Sequence, residues 1–370
     1  MPKIATIIGA RPQFIKCAPV SKEIRKEFEE IIIHTGQHYD QNMSRAFFEE
    51  LDIPEPDFNI GIGSGNHGLQ TGKMLLEIEK TLLYIKPDIV LVYGDTNSTM
   101  AGALAAVKLH IPVAHIEAGL RSFNRKMPEE INRIVTDLVS KYLFAPTQTA
   151  VNNLQNEGHS GIYLVGDVMY DSFLYNTKKA KNTDILKRLH IKPKNYILTT
   201  IHRPQNTDDF QQLSDLLSSL ENLNRTIIFP IHPRTKNKLK DFGIQIDYKN
   251  LYLIEPVTYI EMIYLENNSE LIITDSGGVQ KESYFAGIPC IVLRGETEWV
   301  ELVENGWVHL VGNDLDKIPE IIANLLEIEK ITKPLFGDGN ASGKIAYYLC
   351  ESSSERSPLG NLSQSQKLSL

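Results

Sequence analysis

Cysteine is scarce in this 370-residue chain: three residues, Cys17, Cys290 and Cys350, with no CxxC pair or zinc spacing among them. An odd count without such spacing argues against a disulfide framework and points to a reducing, cytoplasmic setting. Long apolar runs are missing too. None approaches the roughly 18 residues of a membrane-spanning helix, so no membrane partner is expected. The run from Ile4 to Ala10 is too short for a signal-peptide core and is ended by Arg11-Pro12. Nor is there a basic excess. Lys and Arg number 38 against 46 Asp and Glu, a formal net charge of -8, which speaks against nucleic acid as a partner. It leaves room for a small anion held by a few local donors. What is there is 42% hydrophobic and 23% charged residues, an ordinary globular balance. At about 150 residues per domain the length suggests two domains.

Short, wholly apolar runs alternate with segments of helical period. The pattern predicts strands at residues 3–10, 31–35, 88–94, 113–118, 142–146 and 162–166. Helices are expected at 18–28, 69–85, 99–109 and 129–140. The series then restarts, with strands at 196–202, 226–232, 251–256, 270–274 and 290–293 and helices at 210–223 and 259–266. Strands that are apolar throughout and separated by helices form a parallel sheet covered on both faces. The expected fold is therefore α/β, with two Rossmann-like, doubly wound parallel-sheet domains facing a cleft. The first would span residues 1–166 and the second 167–350, with a hinge near 166–183 and a Ser-rich tail over 351–370.

In such sheets ligands bind beyond the carboxyl ends of the strands, where the strand order reverses. The residues just after the expected strands are rich in chemistry. They include Gly9-Ala10-Arg11-Pro12, Gly94-Asp95-Thr96 and Glu117-Ala118-Gly119-Leu120-Arg121 in the first half. In the second half they include His202-Arg203, His232-Pro233-Arg234 and Asp275-Ser276-Gly277-Gly278. Ser276-Gly277-Gly278 opens a helix, where backbone N–H groups and the dipole favour an anion; a plain capped turn would look the same. Arg11 and Lys16, shortly before an expected helix start, could add positive charge, although each taken singly reads as a surface charge. Asp95, Glu117 and Glu129 form an acidic set suited to acid–base work or to stabilising an oxocarbenium-like centre. Glu129 alone could simply serve the helix dipole. His202 and His232 each read alone as structural histidines, and nothing has the spacing of a metal site.

Two motifs mislead. Gly63-Ser64-Gly65-Asn66-His67-Gly68 fits GxGxxG but follows a weak strand, whereas the first strand of the domain ends in Gly-Ala-Arg-Pro. Gly339 to Lys344 lacks both the glycine and the hydroxyl that a phosphate-binding loop needs, having Asp338 and Ile345 there.

Taken in order, the strand-end motifs resemble the non-hydrolysing UDP-N-acetylglucosamine 2-epimerases over about residues 3–350. The segment from Gly9 to Lys16 is similar to that family's N-terminal phosphate-side motif. Its acidic motifs match Gly94-Asp95-Thr96, His115 to Arg121 and Pro128 to Arg133, and its nucleotide loop matches Thr274 to Gln280. The resemblance implies a GT-B-type pair of domains, a homodimer, and inversion at C2 of a UDP-linked N-acetyl sugar without metal or NAD. UDP would be eliminated to leave a 2-acetamidoglucal, then added back with protonation on the other face. Carried over, Asp95, Glu117 and Glu129 are the catalytic carboxylates, and His202 is a catalytic residue on the diphosphate side. Arg11, Lys16, Ser276, Gly277, Gly278 and Glu282 bind the nucleotide, with Glu282 accepting from the ribose hydroxyls.

The chemistry is physically coherent. A C2 proton beside an acetal carbon is weakly acidic, and departure of UDP with carboxylate stabilisation of C1 makes its loss feasible. Domain closure would exclude water from the cation. The chain also departs from the family pattern. Thr297-Glu298-Trp299-Val300-Glu301 stands where many members have Thr-Glu-Arg-Pro-Glu, and Gly36-Gln37-His38-Tyr39-Asp40 differs from the Gln-His-Arg pattern of an allosteric substrate site. The Gly9 to Lys16 segment together with Thr297-Glu298-Trp299-Val300-Glu301 also resembles a branch acting on UDP-2,3-diacetamido-2,3-dideoxy-glucuronate, which is the alternative substrate. A glycosyltransferase on the same fold and a non-catalytic nucleotide-sugar sensor are also compatible with these motifs.

Overall fold

The structure, a computed structural model, describes residues 1–37, 48–246, 249–325 and 334–354. The apolar runs become the strands of two parallel sheets. In the first, β1 (Lys3–Ile8), β2 (Glu29–His34), β3 (Phe58–Asn59), β4 (Ile89–Tyr93), β5 (Val113–Ile116), β6 (Tyr142–Ala145) and β7 (Ile162–Leu164) take the order β3-β2-β1-β4-β5-β6-β7. In the second, β8 (Ile197–Thr200), β9 (Ile227–Pro230), β10 (Leu251–Ile254), β11 (Leu271–Thr274), β12 (Cys290–Val292) and β13 (Val308–Leu310) take the order β10-β9-β8-β11-β12-β13. The strand order reverses between β1 and β4 in one sheet and between β8 and β11 in the other. At such a reversal the connections leave in opposite directions and the carboxyl ends of two neighbouring strands open a crevice.

The core explains why the strands carry no polar face. Ile7, Val90 and Val92 of the first sheet are sealed beneath Met74, Ile78 and Leu82 of helix His67–Ile85 and the alanines of helix Asn97–Lys108. Full burial of each large aliphatic side chain contributes about 1.5–3 kcal/mol. The alanine-rich helix packs closely: a Cβ on Gly102 would lie 2.7 Å from Ile7 Cδ1. In the second sheet Ile197, Ile227, Phe229, Ile273 and Ile291 pack with Leu213, Leu216, Leu217 and Leu220 of helix Phe210–Asn222.

The contacts divide the chain into two compact units, Met1–Ser172 with the segment from Pro334 onward, and Phe173–Lys333. The periodicity of the sequence carries the second domain to residue 350. Instead the chain has rejoined the first unit by Pro334, and helix Ala341–Ser354 lies against helix Arg11–Ile24. Asp171 fastens this return by accepting the Ala341 and Ser342 N–H groups at 3.1 and 2.7 Å. Helix Ala341–Ser354 continues past Glu351, where the tail is expected to begin; residues 355–370 lie outside the described residues. So do His38, Tyr39 and Asp40. Among the described residues no helix is long and apolar enough to cross a membrane.

Candidate active site

The first unit gathers its polar residues beyond β1, β4 and β5. Helix Arg11–Ile24 begins directly after β1, seven residues earlier than the periodicity indicates, so Arg11 opens the helix and Lys16 lies within it. Pro12 fits because a first-turn residue needs no N–H partner. Gln13 ties the turn down. Its side-chain carbonyl accepts the Gly9 and Ala10 N–H groups, and its amide donates to the Tyr93 carbonyl and to Thr99 Oγ1. The ends of β1 and β4 are thereby joined across the point of reversal.

Two of the expected residues meet there. The buried Lys16 ammonium pairs with the buried Glu117 carboxylate. Gly94 passes beside them, and a Cβ on it would sit 3.1 Å from both Lys16 Nζ and Glu117 Oε2. Glu117 itself has φ +71°, a left-handed conformation. For a non-glycine residue that costs about 1–2 kcal/mol, and strain of this kind concentrates where a side chain must be aimed.

Asp95 follows Gly94 and is held by Arg133, whose Nη2 donates to Oδ2 at 2.5 Å. Arg133 Nη1 also donates to Glu130 at 2.9 Å. Glu130, buried, accepts in addition from the Ser122 and Phe123 N–H groups and the Ser122 hydroxyl. Burial pushes the Glu130 carboxyl up, but those hydrogen bonds and the Arg133 charge outweigh it and hold the group below its ordinary range. Glu129, at the start of the same helix, Pro128–Val139, is half-buried and shares in none of these bonds.

The second unit has its own cluster at β8 and β11. Asp275, fully buried, accepts from the His202 N–H at 2.9 Å, the Arg203 N–H at 2.8 Å and Asn206 Nδ2 at 3.0 Å. The same carboxylate lies 3.2 Å from His202 Nδ1 and so sets the orientation of the ring. His232 stacks 5.1 Å from His202, centroid to centroid. Ser276 caps helix Gly277–Phe285, accepting from the Val279 N–H, and Gly277 and Gly278 form its first turn. Glu282 lies buried farther along that helix. Trp299 donates its ring N–H to the Gly277 carbonyl at 3.0 Å, and Lys281 Nζ lies 4.1 Å over the Trp299 ring.

Chemically, the first unit presents two carboxylates kept in place by a cation each, and the second a helix N-terminus beside an oriented imidazole. Among the described residues no group of three or more His, Cys, Asp and Glu side chains is assembled as a metal would require. The model of the UDP-N-acetylglucosamine 2-epimerase family matches residues 22–350. The chain belongs to this family. A UDP-N-acetylglucosamine 2-epimerase homolog of Methanococcus maripaludis is 58% identical, with 94% of this chain and 99% of the relative covered. The UDP-2,3-diacetamido-2,3-dideoxy-D-glucuronate 2-epimerase of Pseudomonas aeruginosa is 50% identical at the same coverage. The structure of Methanocaldococcus jannaschii UDP-GlcNAc 2-epimerase in complex with UDP-GlcNAc and UDP superposes with a TM-score of 0.87 and 45% identity, over 94% of this chain and 99% of that one. The two-sheet α/β architecture is the one expected for the family.

Arg133, Glu130 and Gln13 are not singled out by inspection of the sequence, and Asp275 stands out there only as a strand-end residue. Each lies within or beside a motif, but its role is to hold a neighbour, and that shows only when strand ends distant in sequence meet.

Proposed function

We propose that the chain is an isomerase that interconverts UDP-N-acetylglucosamine and UDP-N-acetylmannosamine. The observation that carries this reading is the pairing at the first reversal: strained Glu117 against buried Lys16, with Asp95 against Arg133 beside it. Loss of UDP leaves positive charge at C1, and carboxylates nearby stabilise it. Removal of the C2 proton then gives the 2-acetamidoglucal, and UDP returns as a proton is delivered to the opposite face. Asp95, Glu117 and Glu129 are assigned to these transfers. Elimination and re-addition are redox-neutral, so the route calls for neither NAD nor a metal.

Lys16 and Arg11 are assigned to the phosphate side. In the second unit the Ser276-Gly277-Gly278 helix start takes the diphosphate, His202 acts on the diphosphate side with Asp275 aiming its ring, and Glu282 accepts from the ribose. Turnover of UDP-GlcNAc by the purified chain, followed at the anomeric proton by NMR, tests this; a strict requirement for an acceptor sugar would indicate a glycosyltransferase instead.

One observation favours a second reading. Trp299, in the segment whose sequence resembles the diacetamido-glucuronate branch, rests on the Gly277 carbonyl and Lys281, and a relative at 50% identity is the diacetamido-glucuronate 2-epimerase. The C2 chemistry would be unchanged. Offering both UDP-sugars in the same NMR assay separates the two substrates.

A homodimer is also proposed. Leu69, Leu76 and Leu83 are exposed along helix His67–Ile85, and Ile131 and Leu138 along helix Pro128–Val139; helix Asn97–Lys108, between the two, adds half-buried Met100 and Leu104. An apolar face of this kind on helices of a soluble domain marks an interaction surface. The free, buried thiols of Cys17 and Cys290 fit a cytoplasmic location.

A further inference from the structure

His115, on β5, takes no part in the roles assigned above, yet it precedes Glu117 by two residues and bonds the residue just before Asp95. Its ring is fully buried, with Nδ1 2.6 Å from Asp137 Oδ1 and Nε2 2.8 Å from the Gly94 carbonyl oxygen. Both partners are acceptors. A neutral imidazole has one N–H and would turn a lone pair toward the other oxygen, a repulsive contact that is costly for a fully buried ring. Both bonds are made only when both nitrogens carry protons.

The surroundings support that state. Asp137, on helix Pro128–Val139, also accepts the Gly119 N–H at 3.1 Å and lies 2.8 Å from Arg121 Nη1. Arg121 in turn makes a bidentate pair with Glu157. Burial pushes the Asp137 carboxyl up, but His115 and Arg121 outweigh it and keep it below the ordinary range, hence ionised.

The two arms of this pair end on the two left-handed glycine turns that flank the acids of the site. The His115 arm holds the carbonyl of Gly94, at φ +63°, whose peptide leads directly into Asp95. The Asp137 arm holds the N–H of Gly119, at φ +83°, two residues after Glu117. A left-handed residue that is not glycine, as Glu117 is between these two turns at φ +71°, persists only where its surroundings over-determine it.

We propose that His115, doubly protonated between Asp137 and the Gly94 carbonyl, is a positioning residue that aims Asp95 through the Gly94–Asp95 peptide, while its partner Asp137 braces the turn after Glu117. This rests on the reading of Asp95 and Glu117 as the catalytic carboxylates. The relevant contact is the one to Gly94; the contact to Asp137 supplies the charge and anchors the ring.

The two arms can be separated by substitution. In His115→Gln the amide reaches the place of Nε2 and can still donate to Gly94. In His115→Asn the shorter amide occupies the place of Nδ1 and can donate only to Asp137. With UDP-GlcNAc as substrate, His115→Asn should lose about 100-fold in kcat with KM altered less than about threefold, because an ångström-scale misplacement of a reacting group costs that much. His115→Gln should stay within about tenfold of the parent in kcat. The opposite order, with His115→Asn the better enzyme, or equal losses that merely follow Tm, would overturn the proposal. If neither variant folds, ring 15N shifts of the unaltered protein decide: both nitrogens protonated supports it, and a single protonated nitrogen ends it. The underlying reading fails separately, through Asp95→Asn and Glu117→Gln variants that keep the parent kcat.

Discussion

Two adjacent glutamates, Glu129 and Glu130, should behave as opposites. Glu130 is buried and accepts four hydrogen bonds, from the Ser122 and Phe123 N–H groups, the Ser122 hydroxyl and Arg133. Glu130→Gln removes its charge beside the buried Arg133 guanidinium and turns an amide N–H₂ toward donors. Breaking one partner of a buried charge pair costs about 3–5 kcal/mol. For a unit of this size each kcal/mol lowers Tm by about 2–4 °C, so a fall of about 6–20 °C is expected. Glu129 is half-buried and its main structural worth is to the helix N-terminus, about 0.3–1 kcal/mol. Glu129→Gln should therefore move Tm by no more than about 4 °C, while kcat drops by roughly 10² to 10⁴, the usual contribution of an acid–base group. Differential scanning calorimetry and the anomeric-proton assay, run side by side on both variants, provide the comparison. Equal losses of Tm, or a Glu129→Gln enzyme with parent kcat, would refute the division of roles.

Further outcomes follow from the same geometry. Gly94→Ala should lose about 1–2 kcal/mol from left-handed strain alone, and its methyl group should push Lys16 from Glu117, so kcat should fall more than thermal stability does. Acid should weaken the first unit. Glu130 and Asp137 both titrate lower when folded than the ordinary 4.5 and 3.8, so their contribution is complete above those values and is lost as pH falls below them through the lower folded-state range. The slope of stability against pH below about 4.5 should accordingly be shallower in Glu130→Gln. Thiol labelling should reach Cys350 first. Burial pushes the Cys17 thiol up and the Cys290 thiol up to about 12, so both should react only on unfolding, and rapid labelling of either in the native protein would contradict their burial. Leu76→Glu with Leu138→Glu should give a smaller particle in light scattering if the apolar helix face is the dimer contact; an unchanged mass would remove that face from consideration.

Much of the fold is legible in the sequence because parallel strands buried on both faces leave a simple trace. Ile-Val-Leu-Val-Tyr of β4 and Leu-Ile-Ile-Thr of β11 can only be interior strands. The start of helix Arg11–Ile24 is harder to see, since Arg11-Pro12 looks like a stop. Proline is in fact tolerated in a first turn, and Gln13 supplies the cap that the sequence does not advertise. The return of helix Ala341–Ser354 to the first unit cannot be read, because an amphipathic pattern shows that a face is buried and not what buries it. In the site, the residues at strand ends are visible by position. Arg133 and Asp137 are not: they sit inside a helix and act on Asp95 and His115, 38 and 22 residues away in sequence. The net charge of -8 likewise hides the local pairing of Lys16 and Arg133 with acids.

The central claim is that the chain breaks and remakes the C2–H bond of a UDP-linked N-acetyl sugar. Incubation with UDP-GlcNAc in deuterated water tests it most directly. The account predicts deuterium at C2 of both epimers at equilibrium, with UDP and the 2-acetamidoglucal as the only side products. Recovery of unlabelled, unepimerised sugar, with UDP-2,3-diacetamido-2,3-dideoxy-D-glucuronate equally inert, would contradict it.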